Sequence, residues 1–254
     1  TAAGTPVRAR LAVLASGASY TLQRRLDLGL PRAYLHTAQQ ELPARSLGDV
    51  LIRFGSEVAP GGFAWAVPIQ RPEGPRVRVG VMATGNAASW YDAMLGRLAS
   101  WGIRSDQARP RLKFLPLRSI SRTFSDRLLV VGDAAGLVKP TTGGGIHYSI
   151  VSASIACDIA EKALRRDRLE AAALSAYQTR WRRRLAGEFR AQWVLRRLAE
   201  HMSDRQIDAL FELTLTDGVM PIVQRTVNFN HHRPLISALL RHAPARQIFW
   251  PSRP

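Results

Sequence analysis

The apolar positions of this chain fall into three kinds of run. Between residues 33 and 117 they alternate with polar ones, which predicts strands at Ala33–Glu41, Val50–Phe54, Phe63–Gln70, Val77–Met82 and Arg111–Leu117. Pro60-Gly61-Gly62 and the segment Arg71 to Pro75 break that pattern as turns. Ser89 to Trp101 predicts a helix, with Trp90, Met94, Leu98 and Trp101 on one face. Before this block, Val7–Ala15 reads as a strand, Ser16–Ser19 as a turn and Thr21–Asp27 as a short basic helix. After it, Leu128–Val131 is a continuous apolar run, the pattern of a strand buried on both faces. From Ile146 the steps become four and three: Ile146, Ile150, Ala153, Cys157, Ala160 and Leu164 mark a long helix. Asp167–Glu200 predicts a second, whose Tyr177, Trp181, Leu185, Phe189 and Trp193 recur every four residues, so that their stripe drifts. Ser203 and Gln206 have capping-box spacing and open a helix over Asp204–Leu215, closed by Asp217-Gly218. Helical runs at Val219–Asn228 and Pro234–Leu240 and a frayed tail, Trp250 to Pro254, complete the chain.

The fold class is therefore α/β with an α+β insert: an α/β domain in two segments, an antiparallel sheet between them, and helices at the C-terminal end. The segment from Leu128 to the long helix carries the chemistry. An apolar strand ends at Gly132-Asp133, a small-residue loop leads to Pro140, and three glycines, Gly143, Gly144 and Gly145, precede Ile146. Asp133 stands at the carboxyl end of a strand, where open α/β sheets bind ligands, and a carboxylate there accepts hydrogen bonds from hydroxyls. Glycine costs about 1 kcal/mol against alanine inside a helix, so three together point to a backbone that a ligand approaches closely. They also set the free N–H groups of the helix start against something electron-rich. A plain strand-to-helix turn with glycines for packing is the alternative.

The run Gly-Asp-Ala-Ala-Gly (132–136) followed by Pro-Thr-Thr-Gly-Gly-Gly-Ile (140–146) resembles the second FAD-binding motif of the para-hydroxybenzoate hydroxylase-like flavoproteins, and more narrowly the geranylgeranyl reductase family. The resemblance implies FAD as cofactor, held by Gly132, Asp133, Pro140, Gly143, Gly144, Gly145 and Ile146. Asp133 would bond the ribityl chain, and the helix start would lie beside the isoalloxazine ring. Phe63, Trp65 and Val67 share one face of their strand, a pattern that equally suits an aromatic core. By resemblance, Phe63, Trp65 and Pro68 match an aromatic-x-Trp-x-Phe-Pro segment that lines the family's lipid tunnel, although Ile69 stands where the family often has lysine. Val77 to Gly80 matches the strand that follows. Ser16 replaces the aspartate of a third family motif, so a contact that needs a carboxylate is lost there. The resemblance divides the chain into FAD-domain segments at 1–32 and 119–166, a substrate domain at 33–118 and a helical region at 167–254. No Gly-x-Gly-x-x-Gly unit occurs, and the chain begins at Thr1, so it is expected to be the C-terminal part of a larger flavoprotein.

Composition adjusts this picture at three points. The net charge is +17 from 36 basic and 19 acidic residues, which favours anionic membranes or phosphates. Aromatics are not interleaved with the basic residues, which argues against nucleic acid. Arg182–Arg184 and Arg196-Arg197 read as a solvated face. The single cysteine, Cys157, reads as a small buried hydrophobe and fits a cytoplasmic location, with peripheral membrane contact. No metal-ligand spacing appears, and His147, just past the glycines, either packs or faces the flavin. The expected activity is reduction of isoprenoid C=C bonds with NAD(P)H or another reductant as electron donor; the catalytic proton donor has no candidate. The alternatives are an FAD monooxygenase and a basic lipid-surface binding module.

Overall fold

The computed structural model describes residues 4, 6–43, 49–98, 103, 109–215 and 219–250. In chain order the elements are β1 (Ala12–Leu14), α1 (Thr21–Arg25), β2 (Tyr34–Pro43), β3 (Leu51–Arg53), β4 (Phe63–Arg71), β5 (Gly74–Ala83), α2 (Ala87–Leu98), β6 (Arg111–Pro116), β7 (Phe124–Ser125), β8 (Leu128–Val130), a 3-10 turn (Gly132–Ala135), α3 (Ile146–Arg165), α4 (Ala171–Ala199), α5 (Asp204–Thr214), α6 (Met220–Thr226), α7 (Arg233–Arg241) and α8 (Ala243–Phe249). Trp101, Asp217, Gly218 and the last four residues of the expected tail lie outside the described residues. The chain divides into two compact units, Thr1–Ala33 with Pro116–Arg190, and Tyr34–Leu115 with Ala191–Pro254. The mixed α/β class, the antiparallel sheet and the C-terminal helices are as the pattern predicts.

The first unit holds a three-stranded sheet in the order β1-β8-β7. β1 runs parallel to β8 with Val13 opposite Leu129, and β7 runs antiparallel. Leu129 and Val130 are fully buried, as a doubly covered strand requires. α3 and the first half of α4 cover the sheet through Tyr148, Val151, Ile155, Ile159, Leu174, Tyr177, Trp181 and Leu185. Tyr177 donates its hydroxyl to the Val130 carbonyl at 2.8 Å, and Trp181 Nε1 donates to Thr123 Oγ1 at 3.0 Å. Burial pushes the Tyr177 hydroxyl above its ordinary range, so it stays protonated and donating.

Two expectations for these helices are corrected. Ile146 and Ile150 are 82% and 65% exposed, and Cys157 is exposed. The buried face of α3 is Tyr148, Val151, Ser152, Ile155, Ala156, Ile159 and Ala163. α3 carries two stripes of similar spacing, and the one with the larger side chains is the one that packs. On α4 the buried line is Leu174, Tyr177, Trp181, Leu185, Glu188, Gln192 and Arg196, a period of about 3.7 that a strict step of four misses. Arg196 is thereby buried, while Arg182–Arg184 and Arg197 are exposed as expected.

The second unit is built on a five-stranded sheet in the order β3-β4-β5-β2-β6, with β3–β4, β4–β5 and β5–β2 antiparallel. α2 packs on one face, where Ala38, Leu42, Ala64, Ala66, Val77, Val79, Val81, Tyr91, Met94 and Leu98 form the core. Tyr91 donates its hydroxyl to Gln40 Oε1 at 3.0 Å inside that layer. Glu41 on β2 is bonded by Arg71 and Arg78 on the neighbouring hairpin, both at 2.6 Å. These guanidiniums, Arg71 before Arg78, hold its carboxyl down to about 2. In the helical region, Ser203 and Gln206 form the expected reciprocal cap of α5. α8 was not foreseen: it is seven residues long and starts beside Pro244, so its period is too brief to read.

Candidate functional site

In the first unit the site is built where β8 ends. Val131 is still extended, and the chain then turns through Gly132–Ala135 and leaves by Gly136 in the left-handed region. The turn is fastened from several sides. The Gly132 amide donates to Ser152 Oγ at 3.0 Å, Tyr20 donates to the Asp133 carbonyl at 2.7 Å, and the buried Gln23 amide donates to the Ala134 carbonyl at 2.9 Å. Gly132 has φ +59, and a Cβ there would meet Ser149 Oγ at 2.6 Å. Glycine is thus required both for conformation and for close approach of α3.

The loop then closes on itself. The Lys139 amide donates to the Gly144 carbonyl at 3.1 Å and the Gly143 amide to the Lys139 carbonyl at 2.9 Å. Gly143 takes a positive φ of 74. Gly145 is the N-cap of α3 and has no side chain to cap the first N–H groups. A Cβ on Gly145 would lie 2.4 Å from Asp133 Oδ1 and 3.1 Å from Val138 Cγ1. The structure therefore brings Gly132, Asp133 and Gly145 together, with the carboxylate against the positive end of the α3 dipole. Pro140 is buried in the loop, and Ile146 begins the helix with its side chain exposed. His147 sets its ring against Tyr148 at 5.4 Å between centroids.

Lys139 is a feature that its sequence context did not signal. It is 2% exposed, and its stem passes within 3.5 Å of where a Cβ on Gly144 would be. Burial pushes its ammonium pKa down, and the Glu188 carboxylate opposes that shift.

In the second unit Phe63 and Trp65 stand on the face of β4 turned away from the α2 core, where Ala64 and Ala66 point. Their rings meet edge-on at 5.8 Å. Pro68 is of the other parity and faces with Ala64 and Ala66. It lies beyond the β3 pairing, which covers Ala64–Ala66, so its missing N–H breaks no bond to that strand. Two aromatics that the sequence did not single out extend the row: Phe54 lies 5.7 Å from Phe63 and 5.6 Å from Phe211. Gly80, which closes the matching run Val77 to Gly80, has a contact that the run itself does not announce. It pairs with Trp65 across the β4–β5 ladder, and a Cβ there would fall 2.3 Å from Trp65 Cζ2. A glycine inside a strand is the sequence signal for such a close approach.

The groups at the end of β8 suit a hydroxyl-bearing, electron-rich ligand. Asp133 supplies acceptors, and the start of α3 supplies N–H groups that its N-cap residue, Gly145, does not cap. A ribityl chain and the pyrimidine edge of a flavin have these properties.

No family model matches the chain. Over 164 residues it is 35% identical to digeranylgeranylglycerophospholipid reductase 2 of Methanothermobacter thermautotrophicus, covering 62% of this chain and 40% of that protein. It is 29% identical over 233 residues to digeranylgeranylglycerophospholipid reductase 2 of Methanopyrus kandleri, covering 86% of this chain and 58% of that protein. The chain thus spans about half the length of these relatives. Among solved structures, it resembles a geranylgeranyl bacteriochlorophyll reductase-like protein from Thermoplasma acidophilum. The TM-score is 0.70 at 21% identity, over 93% of this chain and 60% of that one, a likeness of fold.

Proposed function

We propose, for a chain that belongs to the geranylgeranyl reductase family of FAD-dependent oxidoreductases, that it supplies the ribityl-binding and lipid-facing parts of an enzyme that saturates isoprenoid C=C bonds. The observation that carries this reading is the Asp133 carboxylate lodged beside the bare Gly145 at the start of α3. Asp133 accepts hydrogen bonds from the ribityl hydroxyls. The first N–H groups of α3 face the electron-rich edge of the ring and stabilise negative charge there. When bound and reduced, the flavin supplies hydride to one alkene carbon while a proton reaches the other. Phe63 and Trp65 offer the apolar face on which an isoprenoid chain lies and from which water is excluded. Reducing equivalents come from NAD(P)H or another reductant. The names of the curated relatives favour this reading over a monooxygenase.

The test has two parts. The chain is mixed with FAD and passed through gel filtration, and the retained flavin is read from its visible absorption. Gly145→Ala and Asp133→Ala should lose most of the retained flavin while far-UV circular dichroism stays unchanged. The flavin-loaded protein, reduced with dithionite, is then given a geranylgeranyl lipid, and mass spectrometry should show two hydrogens gained per saturated bond. An oxygen-dependent gain of one oxygen atom instead would assign the site to hydroxylation. Flavin retention that survives both substitutions would remove Asp133 and Gly145 from the site.

A further inference from the structure

The helices α6 and α7 are joined by the segment Val227–His232, whose apolar residues point outward. Phe229 is 83% exposed and Val227 57%. An exposed phenylalanine contributes little to folding, yet this tip is firmly built. Asn228 Oδ1 accepts from the amides of Asn230 at 2.9 Å and His231 at 3.0 Å. The His232 ring nitrogen lies 3.2 Å from the Phe229 carbonyl. Two amides and one carbonyl of the tip are thus bonded within the segment, which lowers the cost of bringing its backbone up to an apolar medium. Charge points the same way. Residues 219–250 contain four arginines, Arg225, Arg233, Arg241 and Arg246, and no aspartate or glutamate. All four arginines are exposed, and Arg225 and Arg233 flank the tip directly.

We propose that this tip is a membrane-docking element: Phe229 and Val227 enter the headgroup layer of an anionic phospholipid bilayer while Arg225 and Arg233 hold its phosphates. An apolar wedge inside a basic collar suits a surface whose charge lies outside and whose interior is apolar. A nucleic acid would take the arginines but needs aromatic rings set along a groove, not at a projecting tip. Among the described residues no helix is long and apolar enough to cross a membrane. The proposed contact is therefore one that lies on the bilayer rather than through it.

The experiment is co-sedimentation of the 254-residue chain with vesicles of phosphatidylglycerol and phosphatidylcholine, beside pure phosphatidylcholine. Neither flavin nor substrate is present, so the outcome is independent of the reductase reading. Binding should require the anionic lipid and weaken as salt rises. Phe229→Ser should weaken partition by about tenfold or more, from the loss of one buried aromatic. Arg225→Gln with Arg233→Gln should weaken it by about fivefold per charge. Arg183→Gln with Arg184→Gln, on the exposed face of α4, removes the same charge elsewhere and should matter little. Equal losses from the two arginine pairs would show that net charge alone binds and would overturn the proposal. So would retention of full binding by Phe229→Ser. Loss of a dimer by Phe229→Ser in light scattering, with no vesicle binding by the parent chain, would assign the tip to a second copy instead.

Discussion

Gly80 offers a sharp test of how the aromatic face is built. It pairs with Trp65 across β4 and β5, and the indole lies directly over it. Alanine there would put Cβ 2.3 Å from Cζ2 and 2.5 Å from Cε2 of Trp65, and 3.0 Å from the Ala38 carbonyl oxygen. The ring must move. Overpacking of this kind costs about 1–3 kcal/mol, against which alanine recovers about 0.5–1 kcal/mol over glycine in a strand. Gly80→Ala should therefore destabilise by about 1–2 kcal/mol, lowering Tm by roughly 3–6 °C in a chain of this size. Trp65→Ala alone should cost about 3 kcal/mol, the low end of the range for a buried ring, because Trp65 is partly exposed. With the indole gone, only the Ala38 carbonyl opposes the new methyl, and adding Gly80→Ala should change stability by less than about 0.5 kcal/mol. The cycle thus predicts a coupling of about 1–2 kcal/mol, with the double variant no worse than Trp65→Ala. Urea unfolding followed by far-UV circular dichroism measures all four proteins without relying on the altered tryptophan. Costs that add to within about 0.5 kcal/mol would mean that the ring does not rest on Gly80, and the argument for a pre-formed aromatic face would fail.

Two further outcomes follow from bonds within each unit. Tyr177→Phe removes the donor to the Val130 carbonyl and should cost about 1–2 kcal/mol in urea unfolding, since the carbonyl is left buried; an unchanged midpoint would show that the bond adds nothing. Glu41 has its folded pKa lowered from 4.5 to about 2, chiefly by Arg71 and then Arg78. Its stabilising contribution is therefore complete above about 4.5 and is lost as pH falls through about 2. Glu41→Gln should flatten the acid limb of stability between those values, and limbs of equal slope in the two proteins would contradict the pairing.

The site at the end of β8 was legible because its information is local. A buried strand, a carboxylate at its end and three glycines before a helix follow one another along the chain, and the structure folds them onto one another through Gly132 and Gly145. The aromatic strand was legible for the same reason, since alternation alone assigns Phe63 and Trp65 to one face. What escaped depends on partners distant in sequence. α3 offers two apolar stripes, and only the sheet decides that Tyr148 and Ile155 pack while Ile146 and Ile150 do not. Phe54 and Phe211 are single aromatics separated by more than one hundred and fifty residues, and nothing in either local context announces the other. Lys139 looks like any loop lysine until its stem is seen to lie under Gly144.

Arg196 shows why a charge run need not be solvated. Its side chain is 4% exposed, and such a guanidinium persists only with partners. They include Glu200 at 2.9 Å and the carbonyl of Gly61, to which it donates. Burial lowers its pKa and Glu200 raises it, yet an arginine stays charged across any ordinary pH. The carbonyl it holds belongs to the turn that starts β4. Gly62 passes so close to β5 that a Cβ would overlap the Met82 carbonyl, and the Thr84 amide donates to the Pro60 carbonyl at 2.8 Å. The entry to β4 is thus pinned from the sheet side and from Arg196. The pin matters because β4 begins with the pairing of Phe63 and Met82. A slip of one residue would turn Phe63 and Trp65 into the α2 core and expose Ala64 and Ala66. A leucine at position 196 would fill the same volume without fixing any direction. A buried guanidinium aimed at one carbonyl favours the register observed, and with it the side of the sheet on which the aromatic row stands.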